Sequence, residues 1–283
     1  MESPIGCYQI IMFRAIAQYQ FMQNAVWSCL MVSIVCAFIG VMIVERKMVM
    51  LSGGIAHTSY GGVGLGYLCG FEPLLGAMGF SVLAALAIGF VKHRSREKSD
   101  VIIAMFWSFG MGLGILFTSM MKGYPPDMTS YLFGNILAVS HSDILMMVVL
   151  TCIVVLSVVL FFDDWKTFLF DEEFAGIAGF RTGLMDYILL VLVALTCVVL
   201  IRAAGIILVI ALLCVPSACS ALLSRSLQGR IIISMCFGMV FCFLGLWISF
   251  AFNIPSGATI VIVAVACYCI LWSLRFLHRR TAE

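Results

Sequence analysis

The sequence predicts an all-α, polytopic integral membrane protein with about nine transmembrane helices, and three observations predict it. Hydrophobic residues make up 63% of the 283 and charged residues only 11%, with a mean hydropathy of +1.15. A water-soluble domain of that composition would leave large apolar patches bare. A bilayer core takes roughly 20 apolar residues per helical span, and polar breaks divide the chain into nine such runs, at 25–44, 52–70, 74–91, 101–120, 144–162, 184–201, 203–223, 231–252 and 258–274. The third observation is charge: of the 16 Lys and Arg, all but Arg14, Lys122 and Arg202 fall in alternate connections. Positive loops are retained on the cytoplasmic side, so the nine-span reading puts the amino terminus outside and the carboxyl terminus in the cytoplasm. A miscount of one span would scramble the asymmetry.

Residues 1–283 read as one transmembrane domain. Residues 1–24 lack the basic start, short apolar stretch and small-residue cleavage site of a removable signal peptide. With Ile10, Ile11, Phe13 and Ile16 among Arg14, Gln18 and Gln20 they are mildly amphipathic and suit the membrane interface. The span at 52–70 carries Gly53, Gly54, Gly61, Gly62, Gly64, Gly66 and Gly70. So much glycine makes a poor lipid-facing helix and predicts burial among neighbouring helices. On the outer side, Lys122-Gly123-Tyr124-Pro125-Pro126-Asp127 is followed by a stretch at 128–139 too short to cross, which suits a re-entrant or interfacial helix. On the inner side, 163–183 is the longest connection. Within it, Asp171, Glu172 and Glu173 precede Phe174, Ile177 and Gly179. Acids at the start, an apolar body and glycine near the end describe a short helix with its negative charges at the favourable end of the dipole.

A net charge of +2 with dispersed basic residues gives no nucleic-acid footprint. The 12 cysteines lie mostly inside apolar runs without metal-type spacing, and read as small packing residues. There is no Gly-x-x-x-x-Gly-Lys-Ser/Thr phosphate loop, no His-Glu-x-x-His and no Gly-x-Ser-x-Gly, so no enzyme site is legible. Ionisable groups at membrane depth are costly, which singles out His57. Helical spacing places Gly53, Gly54, Tyr60, Gly61 and Gly64 around it, so the imidazole leaves a nearly bare stripe. Such a stripe either admits another backbone or leaves a passage. Neutral imidazole ligates first-row metals, while a histidine bonded to a neighbouring helix explains the residue equally well. Pro216 interrupts the span at 203–223 and frees a carbonyl one turn earlier, giving a static kink or a hinge. Cys214 beside it is a soft ligand or a packing residue. Glu72, Asp127, His141 and Asp143 on the outer side form a candidate loading vestibule for a cation, or are solvated loop positions.

Seven landmarks occur together and in order: Phe21-Met22-Gln23-Asn24-Ala25, Arg46-Lys47-Met48, the glycine and histidine run from Ser52 to Gly66, Tyr131-Leu132-Phe133-Gly134-Asn135-Ile136-Leu137, Phe170-Asp171-Glu172-Glu173-Phe174-Ala175, Ala211-Leu212-Leu213-Cys214-Val215-Pro216-Ser217-Ala218 and Pro255-Ser256-Gly257-Ala258-Thr259-Ile260. With these the chain resembles the zinc/manganese/iron permeases of ABC importers over nearly its whole length. The resemblance implies a plasma-membrane homodimer importing a divalent metal ion as substrate, with no permanently bound cofactor. It also implies two cytoplasmic ATPase subunits, an extracytoplasmic metal-binding protein, and a coupling helix at 171–180 that docks on the ATPase. Members commonly carry an aspartate four residues before the second-span histidine, where this chain has Gly53. A histidine without that carboxylate leans toward zinc over manganese. An ion-gradient-driven secondary transporter is the alternative, but it calls for buried acids or paired broken helices, and neither is evident.

Overall fold

The computed structural model describes residues 18–94, 99–121, 134 and 136–281, and among these every regular element is helical. The helices are α1 (Gln20–Glu45), α2 (Val49–Cys69), α3 (Pro73–Arg94), α4 (Ser99–Ser119), α5 (His141–Leu160), α6 (Phe162–Phe170), α7 (Glu172–Ile177), α8 (Thr182–Leu223), α9 (Leu227–Phe252) and α10 (Ser256–Thr281), with a single 3-10 turn at Ile136–Ala138. Most of the expected interfacial segment at 1–24 and of the stretch at 128–139, together with Asp127, lies outside the described residues.

Local chemistry sets the ends. Ser140 caps α5 in a reciprocal box with Asp143, and the Ser226 hydroxyl accepts from the Gly229 amide at the start of α9. Gly70 closes α2 and Asn253 closes α9, both in the left-handed conformation that these two residue types tolerate.

Among the described residues, seven helices are long and apolar enough to cross a membrane. The nine crossings expected from the sequence exceed that number in two places, α2 and the second half of α8. α2 is not among the seven, yet it is the helix most completely enclosed by others, with an unbroken buried run from Leu51 to Ala56 and another from Thr58 to Gly64. α8 is 42 residues long but not straight: Gly205 has φ 76° and ψ 160°, a conformation essentially reserved for glycine. The contacts of its two arms show the consequence. Asp186, near the start, pairs with Arg46 just beyond the end of α1, and Leu222, near the finish, accepts a hydrogen bond from Arg275 at the far end of α10. Arg230, at the start of α9, pairs with Glu45. Both ends of α8 therefore lie at the Glu45 end of the bundle. Arg202, beside the bend, lies at the opposite end with Glu72 and Asp143. The chain goes up through 182–204 and comes back through 206–223.

α1 and α8 form the centre, and α10 is the most peripheral, with only 11% of its span buried. Around α2 the packing is backbone against backbone. A Cβ placed on Gly62 would strike the Gly76 carbonyl of α3, one on Gly64 would meet Gly114 of α4 at 2.8 Å, and one on Gly61 would meet the Gly110 carbonyl at 2.9 Å. These glycines are a packing seam on two sides of α2, the first of the alternatives their pattern left open. Gly62→Leu is expected to lower permease stability in detergent by about 1–3 kcal/mol or to prevent folding, since overpacking against backbone cannot relax. Gly79→Ala, where a Cβ meets nothing within 4 Å, should leave the thermal midpoint unchanged.

Candidate ion pathway and coupling surface

His57 leaves α2 on the α4 side, one turn before Gly61. Its ring stacks on Trp107 of α4 with centroids 4.1 Å apart and planes 11° apart. The buried Nδ1 has no hydrogen-bond partner. A buried nitrogen without a partner is uncommon and asks for an explanation; here it leaves one ring position free to accept a proton or a metal. The neighbouring hydroxyl is fully used, because Thr58 donates to the Gly54 carbonyl at 2.7 Å and lies 3.0 Å from the Phe106 carbonyl, tying α2 to α4.

Gly53 lies one turn before His57 on the same face. A Cβ there would sit 3.6 Å from Trp107 and 3.7 Å from Ile210 of the returning arm of α8, which is ordinary van der Waals distance. The face that carries His57 is thus bounded by Trp107 and Ile210, with room at Gly53 for a small side chain. Gly61 is different: it is closed in by Gly110 and Phe80 and belongs to the seam.

Cys214 is on the returning arm and partly exposed. No hydrogen bond or ring contact joins it to His57 among the described residues. Pro216 is buried, and helical geometry runs through it, the only internal break in α8 being at Gly205. Its surroundings are tight. A Cβ on Gly40 of α1 would strike the Leu213 carbonyl, and the Ser217 hydroxyl bonds that of Ser234 on α9 at 3.2 Å.

At the Gln20 end, the acids expected to form a vestibule are already paired. Arg202 bonds Glu72 at 2.8 Å and Asp143 at 2.8 Å, and His141 contacts Gln20 at 2.5 Å. A carboxylate neutralised by a guanidinium is a weak attractor for a cation. Glu72 and Asp143 therefore act as struts that hold the Gly205 bend against the α2–α3 turn and the start of α5, a correction to the vestibule reading.

At the Glu45 end, α7 is held at both termini. The Asp171 side chain accepts from the Phe174 amide at 2.9 Å, and Gly179, at φ 90°, turns the chain so that the Phe180 amide bonds the Ala175 carbonyl. Ala175 faces inward and is fully buried, while Phe174 and Ile177 are 58% and 86% exposed. Glu173 is exposed beside them. Glu172 turns back to the helices instead, bonding Arg46 at 2.7 Å. Phe174 and Ile177 thus present two large apolar side chains on a capped six-residue helix.

Four features escaped the residue-level reading: Trp107, Gly205, Arg202 as a bridge, and Asp186. The last had a signal, since it is an acid inside an otherwise apolar run at 184–201. Among the described residues no group of three or more His, Cys, Asp or Glu is placed to hold a metal ion.

The described residues form an all-helical membrane domain with a short capped helix at one end, an architecture that suits a transport permease. The chain belongs to the ABC 3 transport family, whose model matches residues 18–275. It is 36% identical over 261 residues to the manganese transport system membrane protein MntC of Listeria monocytogenes, covering 92% of this chain and 93% of that one. It is 31% identical over 255 residues to a probable iron transport system membrane protein of Haemophilus influenzae, covering 89% and 93%. The solved structure of PsaBC from Streptococcus pneumoniae in complex with Fab matches with a TM-score of 0.84 at 32% identity, over 93% of this chain and 95% of that one.

Proposed function

We propose that this chain is the plasma-membrane permease of an ATP-driven importer of a divalent metal ion, working as a pair of identical copies with two cytoplasmic ATPase subunits and an extracytoplasmic metal-binding protein. The observation that carries the pathway is His57: a half-buried imidazole whose Nδ1 has no hydrogen-bond partner, on α2 next to Gly53, where there is room for a small side chain. One such ligand per chain does not make a site, and no cluster among the described residues completes it. Apposition of two copies supplies two imidazoles, and a few moderate ligands suit a site that must release its ion as readily as it binds it. The relatives named for manganese and iron make manganese the first ion to test, ahead of the zinc that imidazole without carboxylate favours.

Nine crossings, with the amino terminus outside and the carboxyl terminus in the cytoplasm, follow from the reversal at Gly205 and the positive-residue asymmetry. That orientation puts α7 in the cytoplasm, where Phe174 and Ile177 fit a groove on the ATPase as apolar anchors. Pro216 and Cys214 line the returning arm near this pathway, with Pro216 as its candidate flexing point.

Manganese uptake and ATP hydrolysis in membranes with matched expression test the pathway. His57→Phe should abolish uptake with the ATPase still bound and active, and normal uptake would sink the assignment. Docking is tested separately. Phe174→Asp should weaken ATPase binding by about 2 kcal/mol or more, as removal of an interface anchor does, and leave the permease folded. Undiminished co-purification of the ATPase would contradict the docking role of α7.

A further inference from the structure

Asp186 is completely buried, and Lys92, His93 and Arg46 converge on it, with Glu172 sharing the Arg46 guanidinium. Lys92 reaches both carboxylate oxygens, at 3.0 and 3.3 Å. His93 Nε2 lies 3.2 Å away and an Arg46 nitrogen 3.6 Å away. The same Arg46 nitrogen bonds Glu172 of α7 at 2.7 Å, and the guanidinium rests 4.3 Å above the Phe168 ring of α6. These residues stand on separate elements of the fold, Lys92 and His93 sharing one. Glu172 belongs to the docking helix, and Arg46 lies in the turn that leads into α2, the helix that carries His57. Lys92 and His93 form the last turn of α3, which packs against α2 through Gly62 and Gly76. Asp186 starts the outgoing arm of α8.

We propose that Asp186 is the positioning residue that transmits movement of the docking helix to the base of the His57 helix. The proposal rests on α7 being the ATPase contact. The chemistry favours a pivot over a static brace. A buried carboxylate must keep its cationic partners, because an unpaired charge in that setting costs several kcal/mol. Arg46 holds two carboxylates with one nitrogen, so a shift of Glu172 moves the guanidinium and with it the turn before α2, while Lys92 keeps its pair with Asp186. Arg46 Nε is buried without a partner, so the guanidinium is not locked by a full set of bonds. Space for the exchange is present: Arg46, Lys92, His93 and Glu172 line a cavity of about 360 Å³ floored by Leu51, Ile88 and Ile103.

The test uses the complete importer, with its ATPase and binding protein, in proteoliposomes. Manganese taken up and ATP hydrolysed are measured together for Asp186→Asn. Lys92→Gln, which loosens the same carboxylate from a side chain already a quarter exposed, decides the matter if Asp186→Asn does not fold. The expected result is an intact complex that hydrolyses ATP but moves about tenfold fewer ions per ATP, within the usual range of coupling free energies. A structural role alone would lower both activities and the thermal midpoint together, and that outcome, or an unchanged ratio, overturns the proposal. In the permease alone, hydrogen exchange at 46–52 should rise in the variant and stay at wild-type level at 206–223. This arm reads the pivot without the ATPase, so a failure of α7 as the docking helix, seen with Phe174→Asp, is told apart from a failure of Asp186 as the pivot.

Discussion

Everything in this fold depends on how closely α2 approaches its neighbours. In lipid there is no hydrophobic drive between helices, so van der Waals contact and polar bonds must hold them together. Gly62 against Gly76 and Gly64 against Gly114 bring three backbones to near-contact distance, which no larger residue permits. With two sides of α2 sealed this way, its polar groups are sorted. Thr58 spends its hydroxyl on backbone carbonyls of α2 and α4, and His57 stacks on Trp107 of α4 beside the roomier position at Gly53. The same glycines that make α2 a poor lipid-facing span therefore make it the helix best able to carry a polar group through the interior.

The ends of the bundle are fixed by charge. At one end Arg202 binds two carboxylates from two connections and pins the reversal at Gly205. At the other, Arg46 and Asp186 bind α7, the turn before α2, the last turn of α3 and the start of α8 into one network. Charged groups cannot sit in hydrocarbon without partners, so both clusters lie where the apolar spans stop.

Much of this was legible in the sequence, and the rest was hidden for identifiable reasons. Apolar runs and their polar breaks located the helices, and the break at Arg202 fell within a few residues of the true reversal at Gly205. The acid-start, glycine-end pattern at 171–179 placed α7, because caps are local and depend on side chains three or four residues away. Glycine content foretold the burial of α2. It did not say whether the stripe would be a seam or an opening, since that depends on Gly76, Gly110 and Gly114 of other helices. The ionic clusters were not legible because their members are far apart in the chain, Lys92 and Asp186 by 94 positions and Glu72 and Arg202 by 130. For the same reason Glu72 and Asp143 looked like free acids until Arg202 was seen between them. Pro216 drew attention as the helix breaker of α8, but neighbours clamp its turn, and glycine, able to adopt positive φ, carries the reversal instead.

The central claim is that His57 meets the ion. Pulsed electron paramagnetic resonance of Mn²⁺ in the reconstituted importer, with the ion held in the membrane domain, reads directly whether an imidazole nitrogen is bonded to the metal. Nitrogen modulation that disappears in His57→Phe is the expected result. Modulation that persists unchanged in that variant, or none in the wild type, would contradict it and return His57 to a packing role against Trp107.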